Sequence, residues 1–187
     1  TVRHAARRET RPRRDPDGGL NSPVTLADSL LDLWDRQSAM LRDLAALVDE
    51  DVRTATPSED GWPLDRQLAH VHAVRREWVG TIDPAREAAL PESFVDGWTT
   101  PIADLAAIRT ALDESAAAVR AVLADGLSRP PEPVGRYDSP AIFLGHMVWH
   151  EGWHAGLIVL ALRRAGREPS ETWQERAFWE RWRGPDE

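Results

Sequence analysis

The sequence of 187 residues contains neither cysteine nor lysine. Without cysteine, the chain has no disulfide, no thiolate metal ligand and no cysteine nucleophile. Without lysine, a Schiff-base enzyme and the phosphate-binding lysine of a P-loop are both excluded. No serine occupies the G-x-S-x-G pattern of a hydrolase nucleophile elbow. A metal ion must therefore be held by histidine, carboxylate or water, and we expect any nucleophile to be a metal-bound water or to arrive with the substrate.

Long apolar stretches are also missing from the chain. No run approaches the roughly 18 apolar residues that a membrane-spanning helix needs. The first residues lack the apolar segment of a secretory signal peptide. We therefore expect a cytoplasmic protein that does not enter a membrane. The partner that we expect for it is a small-molecule substrate.

Positive charge is concentrated in residues 1–14, which hold six arginines and one glutamate, although the whole chain has a formal net charge of -8. Residues 1–22 contain almost nothing apolar, and this composition is typical of a disordered basic tail. The acidic remainder repels phosphate backbones, so we expect no nucleic-acid partner. The predicted organisation is a tail over residues 1–22 followed by one folded domain over residues 23–187.

Hydrophobic residues recur at helical spacing in four long segments, over about residues 25–52, 63–82, 100–126 and 139–165. Thr25, Thr100 and Ser139 are typical N-caps, and Gly126 and Gly166 are typical residues after a helix end. A short helix is expected over 84–90 and an amphipathic one over 171–182. No segment alternates like a strand. The predicted fold is all-α, a four-helix bundle with an additional short C-terminal helix and a disordered N-terminal tail.

Three histidines recur every fourth residue on the most apolar helix, at positions 146, 150 and 154, and so share one face. Burying three imidazoles costs free energy unless each finds a polar partner, and a shared metal ion is such a partner. On the second helix, His70 lies near the apolar stripe, whereas His72 is expected to be exposed. We predict a metal site of His70, His150 and His154 with open positions for water or substrate. His146, one turn away, is expected to line the pocket or serve as a reserve ligand.

The segment from His150 to His154 also fits the H-E-x-x-H pattern of zinc proteases, with Glu151 as the general base. The longer form of that pattern fails, because Leu157 and Leu160 stand where it has glycine and histidine. On a helix, Glu151 points about 100° away from His150. The protease interpretation therefore stays only as an alternative.

Three features resemble the DinB-like family of metal-binding four-helix bundles over about residues 24–166. Segment 61–70, G-W-P-L-D-R-Q-L-A-H, is similar to the family motif that begins its second helix. Segment 149–156 is similar to the family's H-x-x-x-H followed by glycine, and the order of helices also matches. The resemblance implies that His70, His150 and His154 bind zinc, nickel or iron, with water completing the shell. It further implies thiol-dependent transferase or isomerase chemistry, and dimerisation.

Two departures from the family pattern concern the substrate rather than the metal. Leu157 stands where relatives often have a glutamine after the last ligand. Residues 72–74 are His-Ala-Val, where relatives have acidic or hydroxyl residues. The substrate class is therefore not fixed by the resemblance.

The leading hypothesis is a transferase or isomerase that uses a low-molecular-weight thiol such as mycothiol, bacillithiol or glutathione. Metal binding favours the thiolate, which is the nucleophilic form. Glu77, seven residues after His70, is expected either to orient that ligand or to pair with Arg75 or Arg76 at the surface.

Two other functions remain open from the sequence. One is a metal-dependent hydrolase in which Glu151 or Glu77 activates water. The other is a non-catalytic, metal-binding stress-response module. A homodimer is expected. The last helix, with Trp173, Trp179 and Trp182, is expected to cover the bundle as a terminal amphipathic helix, and a lid or the dimer surface are its alternative roles.

Overall fold

The computed structural model describes residues 23–130 and 132–183. Those residues form six α-helices and no β-strand, which confirms the all-α prediction; the predicted tail, residues 1–22, lies outside them. The helices are α1 (Leu26–Ala45), α2 (Leu64–Gly80), α3 (Pro84–Ala88), α4 (Leu105–Leu127), α5 (Pro140–Arg164) and α6 (Glu171–Gln174). A π-helical turn (Glu175–Trp179) and a 3-10 turn (Glu180–Trp182) follow α6. None of the described helices is both long and apolar enough to cross a membrane.

The four long helices form a bundle in which α1 and α2 each pack on both α4 and α5. Ion pairs between Arg42 and Asp113 and between Arg120 and Asp35 show that α1 and α4 run in opposite directions. Contacts described below show the same for α2 and α5. The bundle therefore confirms the predicted architecture and places two antiparallel pairs side by side.

Side chains that accept hydrogen bonds from free backbone N–H groups mark where α1, α4 and α5 begin. Thr25 forms a capping box with Asp28 at the start of α1, and Ser139 caps α5. The prediction that Thr100 caps α4 is wrong. The Asp104 carboxylate accepts the first free backbone N–H groups of α4, while the Thr100 hydroxyl donates to Asp96 in the preceding turn. The helix therefore begins four residues later than the sequence suggested.

Helix α1 ends at Ala45 rather than near residue 52. The Arg109 guanidinium of α4 donates to the carbonyl oxygens of Ala45 and Val48, which have no partner within α1. The chain then turns, and Val48 and Val52 enter the core from this turn rather than from a helix. The spacing of apolar residues fits both a helix that continues to residue 52 and a helix that ends at Ala45 and is followed by a turn, so it could not predict where α1 ends.

Two apolar clusters fill the bundle, and a polar layer separates them. One cluster contains the C-terminal half of α1, and the other contains Trp34 near its start. Between them, each long helix contributes one buried polar side chain. These are Gln37, Arg75, Ser115 and Glu151.

The C-terminal segment is less regular than the single predicted helix. The rings of Trp173 and Phe178 make a T-shaped contact with each other, and both pack, half-buried, against the first apolar cluster. Trp179 and Trp182 remain exposed. Trp173 therefore packs on the bundle, as expected of a covering terminal helix, and of the three tryptophans only Trp179 and Trp182 leave an exposed surface.

Candidate metal centre

Antiparallel packing of α2 and α5 brings three histidines together. His70 lies on α2, and His150 and His154 lie one turn apart on α5. Each can offer one ring nitrogen so that the three nitrogens lie within 4.8 Å of one another. The Nε2 atoms of His70 and His150 are 3.3 Å apart. The structure thus gathers the three residues that spacing and resemblance selected, in an arrangement that could hold a metal ion.

The surroundings keep these imidazoles neutral. Burial, followed by the charge of neighbouring groups, lowers the pKa of His70 and of His150 to about 4. The same causes lower the pKa of His154 to about 3. A metal ion binds the unprotonated nitrogen, so at neutral pH no proton has to be displaced from this cluster.

Gln67 orients one of the three rings. The His154 Nδ1–H donates to the Gln67 Oε1 atom at 2.7 Å, which leaves the His154 Nε2 lone pair free. Gln67 is buried and its own amide donates to the Trp62 carbonyl oxygen. The sequence left Glu77 either an orienting role or a place at the surface, and the structure shows it exposed. Gln67 precedes His70 by three residues and so shares its face of α2, which is the signal that could have identified it.

His146 lies beside the cluster and not within it. Its ring centre is 6.3 Å from that of His150, and its Nδ1 accepts from the Tyr137 hydroxyl at 2.6 Å. Burial, together with the charge of Glu77, raises the pKa of Tyr137 to about 12, so the phenol keeps its proton. The ring of Trp78 packs edge-on against His146. These contacts place His146 beside the site, but it belongs neither to the cluster nor to the residues that line the cleft above it, so neither role expected for it is seen.

Glu151 points into the core, away from the three histidines. Its Oε1 accepts from the Arg75 Nε at 2.6 Å and its Oε2 accepts from the Gln37 amide at 3.3 Å. Arg75 and Glu151 are both almost completely buried. A carboxylate held in this way is not positioned to activate water beside His150 and His154, so the geometry speaks against the protease interpretation.

The expectation that His72 is exposed is wrong. His72 is completely buried. Its ring nitrogens lie 2.7 Å and 2.8 Å from the carbonyl oxygens of Ala111 and Pro91. The segment that follows α3 crosses this side of α2, and the periodicity of α2 alone does not reveal that covering.

A cleft of about 470 Å³ opens above the three histidines. Trp62, Trp149, Trp153 and Leu157 form its walls, and Asp60 is the one charged residue that lines it. The rings of Trp62 and Trp98 pack edge-on against His70, with centres 5.1 Å and 5.3 Å away. The cleft is therefore an aromatic chamber with neutral imidazoles at its base, a shape and chemistry suited to a small ligand.

The comparison with known proteins agrees with this architecture. No curated protein and no solved structure matches the chain. The model of the DinB family, in contrast, matches residues 23–184. The matched range contains every described helix and all three clustered histidines. The chain therefore belongs to the DinB family.

Proposed function

We propose that this protein is a metal-dependent transferase or isomerase that uses a low-molecular-weight thiol, with the metal held by His70, His150 and His154. The observation that carries the proposal is the convergence of three neutral imidazole nitrogens, all within 4.8 Å of one another, at the base of an open cleft. Three protein ligands leave coordination positions for water or substrate, which is the pattern of a catalytic site.

The donor set fits a divalent ion of the zinc, nickel or iron type. Imidazole suits all three metals, and the described residues of the cleft offer no thiolate that would select among them. Gln67 fixes the tautomer of His154, and such outer contacts strengthen metal sites. When bound, a divalent ion favours the thiolate form of a thiol.

Two features support an external thiol as the nucleophile. The chain has no cysteine of its own. The cleft of about 470 Å³ is wide enough for a tripeptide-sized thiol, and tryptophan rings form much of its wall. Within this proposal, the histidines bind the ion, Gln67 orients His154, and the tryptophans enclose the thiol and its electrophile.

Metal content and thiol turnover test the proposal in two steps. Mass spectrometry of native protein should find one metal per chain, and the His150→Ala/His154→Ala variant should contain none. The His146→Ala variant is the matched control, since it removes a neighbouring imidazole that lies outside the cluster. Absence of metal, even after reconstitution with zinc or nickel, would refute the site.

The second step incubates metal-loaded protein with mycothiol, bacillithiol or glutathione and a thiol-reactive bimane. Thiol consumption that depends on the triad supports the transferase. Stoichiometric metal without thiol binding or turnover would reject the thiol chemistry and leave only a metal-binding protein.

The two other functions receive less support. A hydrolase would need a base other than Glu151, because that carboxylate is paired with Arg75 in the core. Glu77 is exposed and is not among the residues that line this cleft. A non-catalytic module would not need an open cleft beside the ligands. Turnover of an ester and amide panel without added thiol would reverse this ranking.

The homodimer and the cytoplasmic location belong to the proposal as well. Sedimentation equilibrium of the full chain tests the dimer. The surface that such a dimer would use is argued separately from the metal chemistry.

A further inference from the structure

The outer face of α5 is exposed and uncharged. Between residues 140 and 162 the one charged side chain is Glu151, which is buried. Trp149 is 66% exposed and Trp153 is 60% exposed, with their rings stacked against each other. Successive exposed positions follow helical spacing and so form one stripe along the helix. The stripe consists of Gly145, Trp149, Gly152, Trp153, Gly156 and Leu160.

The three glycines in this stripe have no reason for being glycine within the chain. A glycine inside a helix is less favourable than alanine by about 1 kcal/mol. None of the three has a positive φ. A Cβ atom built on Gly145, Gly152 or Gly156 would meet no atom within 4 Å. Their small size therefore benefits a contact made from outside this copy of the chain, as at helix interfaces where backbones approach closely.

We propose that this stripe is the interface of a homodimer, in which two copies of α5 pack antiparallel about a two-fold axis between Gly152 and Trp153. Around that axis, each large residue of one copy stands at the height of a glycine in the other. The stripe is thus complementary to itself, as a two-fold interface requires. The facing pairs are Trp149 with Gly156, Trp153 with Gly152, and Leu160 with Gly145.

Charge and area both favour a second copy as the occupant. The stripe carries no charged side chain, so a second copy can pack on it without burying an unpaired charge. The two tryptophans alone expose roughly 300 Å² of apolar surface per copy. The stripe can form the centre of the roughly 800 Å² per partner that stable interfaces bury, and the surface that flanks it would supply the rest.

The dimer would also complete the wall of the metal cleft. Trp149 and Trp153 belong both to the stripe and to the cleft lining. A second copy packed on their outer faces would hold the two rings in place and exclude water behind them. This consequence adds to the proposed function, but the dimer itself does not depend on metal or thiol.

Because the chain has no cysteine of its own, an introduced cysteine can form a disulfide only with its counterpart in a second copy. In the Gly152→Cys variant, the two thiols lie close to the proposed axis and should form a covalent dimer on mild oxidation. In the Gly145→Cys variant, the thiols are about 22 Å apart along the helix pair and should not. Both substitutions enter open space on the same helix, so each is the other's control. Equal cross-linking of both variants, or of neither, would overturn the arrangement.

A second test introduces a negative charge into the stripe and measures the oligomeric state by sedimentation equilibrium. The Trp153→Glu variant should be monomeric at concentrations where the wild-type chain is dimeric. The Gly152→Ala/Gly156→Ala variant should weaken the dimer at least tenfold while its helix becomes more stable, so misfolding would not explain the loss. The Trp179→Glu variant changes an equally exposed tryptophan outside the stripe and should remain dimeric. A monomeric wild-type chain, or a dimer lost only with Trp179→Glu, would refute the proposal.

Discussion

Two neighbouring groups of polar residues in this bundle have opposite characters. The core layer joins Arg75 of α2 to Glu151 of α5 through a short, buried ion pair. The histidine cluster joins the same two helices through His70 and His150, but its nitrogens face an open cleft. One residue step on α5, from His150 to Glu151, separates the two. A single pair of helices can thus carry a closed polar layer on one side and an open ligand set on the other.

The two groups differ in how many of their polar atoms already have a hydrogen-bond partner. In the core layer, Glu151 accepts from both Arg75 and Gln37, and Arg75 also donates to the Leu112 carbonyl oxygen, so that only the Arg75 Nη2 has no partner. Among the three histidines, Gln67 satisfies only the Nδ1 of His154. The core layer is therefore expected to serve stability, whereas the cluster is expected to serve binding, and variants in each should affect one property and spare the other.

The largest expected effect is on stability, from the Glu151→Gln variant. Removal of one partner leaves the Arg75 charge buried without compensation, which lowers the free energy of unfolding by about 3–5 kcal/mol. Urea unfolding of metal-free protein measures the loss. The Glu151→Leu/Arg75→Met variant should recover most of it, because both charges are then absent. If Glu151→Gln kept wild-type stability but lost turnover, Glu151 would act as a base and the comparison would fail.

The next effect is metal-dependent stabilisation through the cluster. An ion that binds only the folded chain, at about 100 times its Kd, raises the free energy of unfolding by about 2.7 kcal/mol. Thermal unfolding with and without zinc or nickel should show this rise in wild-type protein. The His150→Ala/His154→Ala variant should show none, while its metal-free stability stays close to wild type. An equal rise in both proteins would place the bound metal elsewhere.

Gln67 should modulate metal affinity rather than abolish it. Loss of the contact that orients a ligand histidine commonly weakens metal binding by 10–100-fold. The Gln67→Leu variant should therefore bind zinc about 10–100 times more weakly in competition with a chromophoric chelator. The Glu77→Gln variant is the control and should bind as wild type, since Glu77 is exposed. A stronger effect of Glu77→Gln would restore the role that the sequence first suggested for it.

A fourth expected effect is the pH dependence of metal-free stability. The pKa of each clustered histidine is lowered in the folded chain, to about 4, 4 and 3, so between pH 6.5 and 4.5 the unfolded chain binds protons that the native state does not. Stability should therefore fall as pH decreases through this window and change little above it. The slope should be shallower in the His150→Ala/His154→Ala variant. Identical slopes in the two proteins would show that other groups control the titration.

The bundle and the ligand set could be predicted because their signals are local or additive. Helical periodicity identified the four long helices, and the four-residue spacing of His150 and His154 identified a shared face. The choice of His70 over His72 followed from its place near the apolar stripe of α2. The structure brings these three side chains together.

Other features depend on contacts between distant segments and could not be read from the sequence. The burial of His72 requires the chain near Pro91 to cross α2. The role of Glu151 depends on Arg75, which lies 76 residues away in sequence. The start of α4 was decided by competition between two good caps, and Asp96 settled it by engaging Thr100. In each case a partner beyond the local pattern determined the outcome.

The Gln67 side chain has a consequence that extends to the loop before α2. Its oxygen contacts His154, while its nitrogen contacts the Trp62 carbonyl oxygen in that loop. A rearrangement of the loop would therefore turn the amide and reorient the imidazole. By thermodynamic reciprocity, anything that orders the loop strengthens the ligand set, and occupancy of the ligand set in turn orders the loop. A ligand that touched only Trp62 would then tune metal affinity without contacting the metal.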